Sequence, residues 1–260
     1  MVEPAVRKEI VGRLRSVEEA EDIRVIYACE SGSRAWGFAS ADSDYDVRFI
    51  YVHQANWYLS IDDAKDVVEH TDGLLDLSGW DIRKALRLLR RSNPPLLEWL
   101  RSPIVYLEEP VIVGRIRDLA SEFFSPRSCL HHYLHMAEGN YREYLRGTEV
   151  KTKKYFYVLR PILACMWIED RNTTPPMEFE RLVEAQGLDK PLASEIDCLL
   201  RGKKAGEEMD TGPRIAVINE FVEASLARFE SSVKHIASAV TPDTGVLNSL
   251  FRELLASVWT

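Results

Sequence analysis

The chain opens with apolar positions at helical spacing. Val6, Ile10, Val11 and Leu14 share one stripe between Pro4 and about Glu21, and Pro4 suits a first helical turn. The pattern then changes to short apolar runs. Ile23–Cys29 reads as a strand. Tyr45–Val52 alternates, with Tyr45, Val47, Phe49 and Tyr51 on one face and Asp44, Asp46 and Arg48 on the other. Lys65–His70 and Leu74–Ser78 read as two more strands around a Thr-Asp-Gly turn. Asp81–Arg91 reads as a helix, with Asp81 at the N-cap and Ile82, Ala85, Leu86 and Leu89 facing inward. After Asn93-Pro94-Pro95 helical periodicity takes over. It predicts helices at about Leu96–Leu100, Pro110–Phe124, Ser128–Leu145, Lys151–Asp170, Pro176–Gln186, Leu192–Leu199, Arg214–Ser238 and Thr244–Val258. The sum is a mixed α/β (α+β) domain over residues 1–109 followed by an all-helical domain over 110–260.

Composition narrows the function classes. The formal charge of −8 argues against bulk coating of nucleic acid and leaves room for a local basic cleft. Lys84, Arg87, Arg90 and Arg91 on the predicted helix could track an RNA backbone, although a solvated basic face is the plainer reading. Cys29, Cys129, Cys165 and Cys198 lie far apart with no CxxC pair. That pattern argues against a zinc site or disulfide framework and predicts a reducing, cytoplasmic setting. No apolar run approaches the ~20 residues of a membrane span, and the charged N-terminal stretch lacks the apolar centre of a signal peptide.

Chemistry concentrates in GSRAWGFASADSDYD, residues 32–46, which connects two predicted strands. Asp44 and Asp46 stand two positions apart on a strand, so their side chains share a face. Two such carboxylates repel one another unless a cation lies between them, and Mg²⁺ binds one or two carboxylates together with substrate phosphates. Gly32 lets backbone approach a phosphate closely, and Ser33 offers a hydroxyl and an N–H to its oxygens. A short helix after Ser33 would add a favourable field for a triphosphate. Arg34 reads equally as a phosphate contact or as a partner for a nearby aspartate. Ser43 reads as a turn cap or a nucleotide contact, and Arg48 as a neutralising charge beside the acidic pair.

Gly32-Ser33, ten intervening residues, then Asp44-Tyr45-Asp46 resemble the signature of the DNA polymerase β nucleotidyltransferase superfamily. GSRAWGFASADSDYDVRFIYV, LDLSGWDIRKALRLLRRSNPPLLEWLRSPIVY and KKYFYVLRPILACMWI extend the likeness to the RlaP or YcgL-like nucleotidyltransferases, associated with RNA repair. The resemblance implies a polymerase β-type core with a mixed sheet. It also implies two divalent ions (Mg²⁺ or Mn²⁺), an NTP substrate, and transfer of NMP to an acceptor hydroxyl, with an RNA 3′ end as leading acceptor. Transfer to a protein or small molecule is the alternative acceptor class, and a non-catalytic nucleotide-sensing module is the rival of another kind. By the same resemblance Asp44 and Asp46 hold both ions and a third carboxylate joins them. Asp76 is the candidate, because a carboxylate amid leucines on a strand needs a partner to offset its desolvation; Glu69 and Asp81 are the alternatives. Lys151, Lys154 and Tyr155 share a predicted helix face. The resemblance turns that face toward the nucleotide, the lysines for phosphates and Tyr155 for stacking on a base; a solvated basic face beside a core tyrosine is the other reading.

Overall fold

The apolar runs fold into β1 (Ile23–Glu30), β2 (Tyr45–His53), β3 (Val67–Asp72) and β4 (Leu75–Asp81), in a computed structural model that describes residues 2–207, 211–233 and 242–259. A fifth strand, β5 (Val105–Glu108), is too short for a period of two to stand out in sequence. The sheet order is β3-β4-β2-β1-β5. β1 runs antiparallel to β2 and β5, β3 antiparallel to β4, and β4 parallel to β2, so the sheet is mixed, as expected. The β3–β4 hairpin turns at Gly73, whose φ of +57° suits glycine. Because β4 then runs parallel to β2, the two strands present the same end of the sheet.

Contacts divide the chain into two compact units. The first comprises Met1–Ala35, Asp44–Phe123 and Thr241–Thr260. Here α1 (Pro4–Glu21) contributes Ile10, Leu14 and Val17 to a core with Val25, Val47, Phe49, Tyr51 and Leu77. The alternation expected along β2 holds only in its first half, since Ile50 and Val52 are buried as well. Between the short helices α3 (Ala55–Tyr58) and α5 (Pro94–Trp99), α4 (Ile82–Arg90) starts as predicted, with the Asp81 carboxylate accepting from the Arg83 N–H at 2.8 Å. α6 (Pro110–Glu122) and α12 (Gly245–Ser257) belong to this unit. Arg115 of α6 pairs with Glu253 of α12, and the Trp259 indole donates to the His53 carbonyl at 2.9 Å.

The second unit comprises Trp36–Ser43 and Phe124–Val240. It contains α7 (Pro126–Tyr144), α8 (Tyr155–Arg171), α9 (Phe179–Glu184), α10 (Lys190–Ala205) and α11 (Ala216–Ser232). α11 covers most of the expected helix 214–238, of which residues 234–238 lie outside the described residues. Trp36 and Phe38 join an aromatic cluster here: Phe38 stacks on Phe156 at 4.6 Å and meets Phe179 edge-on at 5.7 Å. The Phe179 N–H donates to the Trp36 carbonyl at 2.9 Å. Two expectations are therefore corrected. No single boundary at 109/110 separates the units, because α6 and α12 belong to the unit that holds the five-stranded sheet while 36–43 belongs to the other. Nor is the second unit all-helical, because β6 (Glu149–Lys151) pairs with β7 (Thr211–Pro213). Among the described residues no helix is long and apolar enough to cross a membrane.

Candidate functional site

Register decides which carboxylates meet. In the parallel β2–β4 pair Asp46 lies opposite Asp76, with Tyr45 opposite Leu75, while Asp44 immediately precedes β2. Of the alternatives to Asp76, the Asp81 carboxylate is engaged, accepting from the Tyr58 hydroxyl at 2.6 Å as well as capping α4. Glu69 lies on β3, opposite Ser78 rather than beside Asp46.

Arg48, two residues along β2, ties the registered pair together. Its Nη2 donates to Asp46 Oδ1 at 3.1 Å and to Asp76 Oδ2 at 2.8 Å, and its Nη1 to the Asp76 carbonyl at 3.1 Å. Burial pushes the Asp46 carboxyl above the usual aspartate range. The Arg48 charge opposes that shift, and the nearby Asp76 and Asp44 charges reinforce it. Among the described residues the carboxylates do not close into a ready-made group of three metal ligands; Arg48 supplies the counter-charge.

The backbone of Asp46 is clamped on both sides. Its carbonyl accepts from the Ser31 N–H at 2.8 Å, and its N–H donates to Glu30 Oε1 at 2.7 Å. Glu30 is fully buried and accepts a second bond from the Tyr106 hydroxyl. Burial pushes its carboxyl up to about 7, against the pull of those two hydrogen bonds. Sequence reading missed Glu30, because a glutamate at a strand's end carries no signal until its partners are known.

Gly32 begins a four-residue helical turn, α2 (Gly32–Ala35), with φ +56°. A Cβ there would overlap Asp46 Oδ2 and come within 2.8 Å of its Cγ, so the glycine lets backbone lie directly on the carboxylate. Ser33 is half-buried in the same turn. Arg34 Nε donates to the Asp44 carbonyl at 3.1 Å, and its guanidinium lies 3.8 Å from the Tyr45 ring centre. Gly32, Ser33, Arg34, Asp44, Asp46 and Asp76 thus all fall within the sheet unit.

The remaining candidates lie in the other unit. Ser43 is buried, and its hydroxyl accepts from the Ser40 N–H at 3.0 Å, which makes it the cap of a turn. The shared helix face of Lys151, Lys154 and Tyr155 is a correction. α8 begins only at Tyr155, Lys151 lies in β6, and Lys154 ends a 3₁₀ turn. Tyr155 is fully buried; its hydroxyl donates to Asn219 Oδ1 at 2.6 Å and accepts from the Ile215 N–H at 2.9 Å. Its ring is therefore closed to a base. The solvent-facing aromatic is Tyr157, and the Lys154 ammonium lies 4.5 Å from its ring centre and 4.4 Å from that of Tyr144. Lys151 lies 5.4 Å from Tyr144.

Comparison with known proteins places this geometry in context. Residues 6–253 match the family described as RlaP: RNA repair pathway DNA polymerase beta family. The protein YcgL of Bacillus subtilis (strain 168) is 47% identical over 255 residues, spanning 98% of this chain and 98% of its own. Among solved structures, a nucleotidyltransferase-like protein from Exiguobacterium sibiricum 255-15 is 14% identical. The match covers 85% of this chain and 73% of that one, at a TM-score of 0.31.

Proposed function

Since the chain belongs to the RlaP family, the RNA repair pathway DNA polymerase beta family, we propose that it transfers NMP from an NTP to an acceptor hydroxyl, with an RNA 3′ end as the acceptor. The observation that carries this reading is the register of Asp46 with Asp76 beside the Gly32-Ser33 turn.

The donor set suits Mg²⁺ or Mn²⁺ in kind. It offers hard carboxylate oxygens, and burial, with the Asp76 and Asp44 charges beside it, disfavours an uncompensated charge on Asp46 even with Arg48 in place. Asp44, Asp46 and Asp76 would hold two such ions, which when bound stabilise the attacking and leaving oxygens together. The chain's own groups do the rest. Gly32 brings backbone close to the polyphosphate, and Ser33 presents its hydroxyl and N–H to phosphate oxygens. Arg34, held over Tyr45, presents a fixed guanidinium. The acceptor oxygen bonds to the α-phosphorus as the bond to pyrophosphate breaks. The acceptor's proton passes to Asp76, whose side chain is 41% exposed against 29% for Asp46.

On this reading Arg48 stands in for cationic charge. Arg48→Met is expected to lower stability by about 1–3 kcal/mol in a chelator, because two part-buried carboxylates lose their partner. Millimolar Mg²⁺ is expected to restore part of that loss in thermal unfolding. A variant that Mg²⁺ stabilises no more than wild type would argue against a cation site.

A second reading, a non-catalytic nucleotide-sensing module, draws on the Arg48 bridge, which a catalytic centre must open. Incubation with each labelled NTP in turn, Mg²⁺ and total RNA separates the two. The expected product is RNA labelled at its 3′ end, with label lost once those ends are oxidised by periodate. Label on protein or a small molecule would move the acceptor, and nucleotide binding without any transfer would favour the sensing module.

A further inference from the structure

The basic run on α4 has a wall opposite it that sequence could not show. Arg83, Arg87 and Arg90 stand at i, i+4 and i+7, so they form one stripe along the helix. That stripe lines a groove of about 230 Å³, which α12 and the residue before it line with Thr244, Asn248 and Phe251. Among the described residues no acidic side chain lines the groove. The acid nearest in sequence, Asp243, is turned to the Gly245 N–H, which donates to it at 2.9 Å.

Some of the chain's arginines are neutralised locally. Arg13, Arg48, Arg115, Arg117, Arg214 and Arg228 each pair with a carboxylate. Arg87 and Arg90 are exposed, and neither makes an ion pair among the described residues. In a chain with 41 acidic and 33 basic residues, partners for them would be easy to supply. Arg83 is positioned by aromatic rings: its guanidinium lies 5.5 Å from the ring centres of both Trp57 and Tyr58. Phe251 meets the same Tyr58 edge-on at 5.0 Å, and its own ring is half-buried in the groove wall.

We infer that this groove binds the phosphodiester backbone of a single-stranded RNA segment, an inference that rests on RNA being the acceptor in the reading above. Guanidinium forks match the paired oxygens of phosphate groups. The three arginines step along the helix axis by about 6 Å and about 4.5 Å, so neighbouring guanidiniums can engage neighbouring phosphates of one strand. Thr244 and Asn248 supply neutral donors and acceptors for phosphate or ribose hydroxyls, and Phe251 offers a ring face to a base. An acidic peptide would satisfy the charges but would leave the ring without a stacking partner.

The test is fluorescence anisotropy of a short labelled single-stranded RNA with full-length protein, without NTP, over a range of NaCl. Wild type is expected to bind in a salt-sensitive way. Arg87→Glu/Arg90→Glu is expected to weaken binding by about 10-fold or more and to flatten the log K against log salt slope by about 1.4, two contacts at ~0.7 each. Both side chains are exposed, so the fold should survive with only a small drop in unfolding temperature from acidic charge in the last turn of α4. Arg87→Gln/Arg90→Gln should weaken binding in the same direction by a smaller factor. Wild-type affinity and slope in the charge-reversed protein would overturn the proposal. So would failure of wild type to bind RNA, or competition by polyglutamate as strong as by unlabelled RNA. Asp46→Ala should bind the RNA normally. Loss of binding on charge reversal in a protein that transfers no NMP would keep the groove and reject the transfer reading. Transfer to RNA that survives charge reversal along with binding would reject the groove alone.

Discussion

Asp46→Ala is expected to reduce nucleotidyl transfer by about 10³-fold or more, measured with the same labelled NTP and RNA that report wild-type activity. Asp46 is the residue on which the site's contacts converge. Its carboxylate faces Asp76 across the β2–β4 register, lies against the Gly32 backbone and receives Arg48 Nη2 at 3.1 Å. Removing it takes away the central member of the cation-binding set while leaving the backbone clamp to Ser31 and Glu30 in place, since both of those bonds use main-chain atoms of residue 46. The fold should therefore survive. Burial and the neighbouring carboxylates already act against the Asp46 charge, so the thermal midpoint should stay near wild type or rise. Wild-type transfer in this variant would remove the proposed site. Loss of transfer together with loss of folding would be read from Asp44→Ala instead, because that carboxylate stands before β2 and outside the clamp.

Gly32→Ala is expected to lower stability by about 2–4 kcal/mol and transfer by about 100-fold. Two costs add. A φ of +56° is unfavourable for any residue with a Cβ, by roughly 1–2 kcal/mol. The added methyl also overlaps the Asp46 carboxylate, whose strand is held by hydrogen bonds to Ser31 and Glu30 and cannot move away as a whole. Either the turn shifts or the carboxylate does, and each displaces groups proposed to meet phosphate and cation. Chemical denaturation followed by tryptophan fluorescence measures the first effect and labelled-NTP transfer the second. A variant with unchanged midpoint and rate would show that the close approach of Gly32 to Asp46 has no consequence.

What could be read directly from sequence was local. The Gly-Ser turn and the strand that carries Asp46 depend on spacings of one or two residues. That strand starts at Tyr45, however, so the shared face expected of Asp44 and Asp46 on one strand does not follow from its period of two. The cap at Asp81 and the hairpin turn at Gly73 are of the same kind, since each depends on the chemistry of a few adjacent residues. The family was legible for the same reason: its signature lies on one continuous stretch.

What only the tertiary structure decided was pairing between distant segments. Asp76 could be offered from its desolvation alone, but its place beside Asp46 follows from β4 running parallel to β2 after the β3 hairpin, and no local pattern specifies that register. The Arg48 bridge and the Glu30 clamp arise from that same pairing and from β1. Lys151, Lys154 and Tyr155 have helical spacing, yet pairing of Lys151 with Thr211 pulls the chain into a ribbon and delays the helix to Tyr155. Trp36 and Phe38 lie inside the motif's spacer but fold among helices, because their rings find an apolar cluster there. The arginine stripe on α4 was visible as a basic run, and only α12, some 160 residues further along, made it a groove. Sequence carries the periodicity of each element; which elements meet depends on burying their apolar faces together, and that is settled over the whole chain.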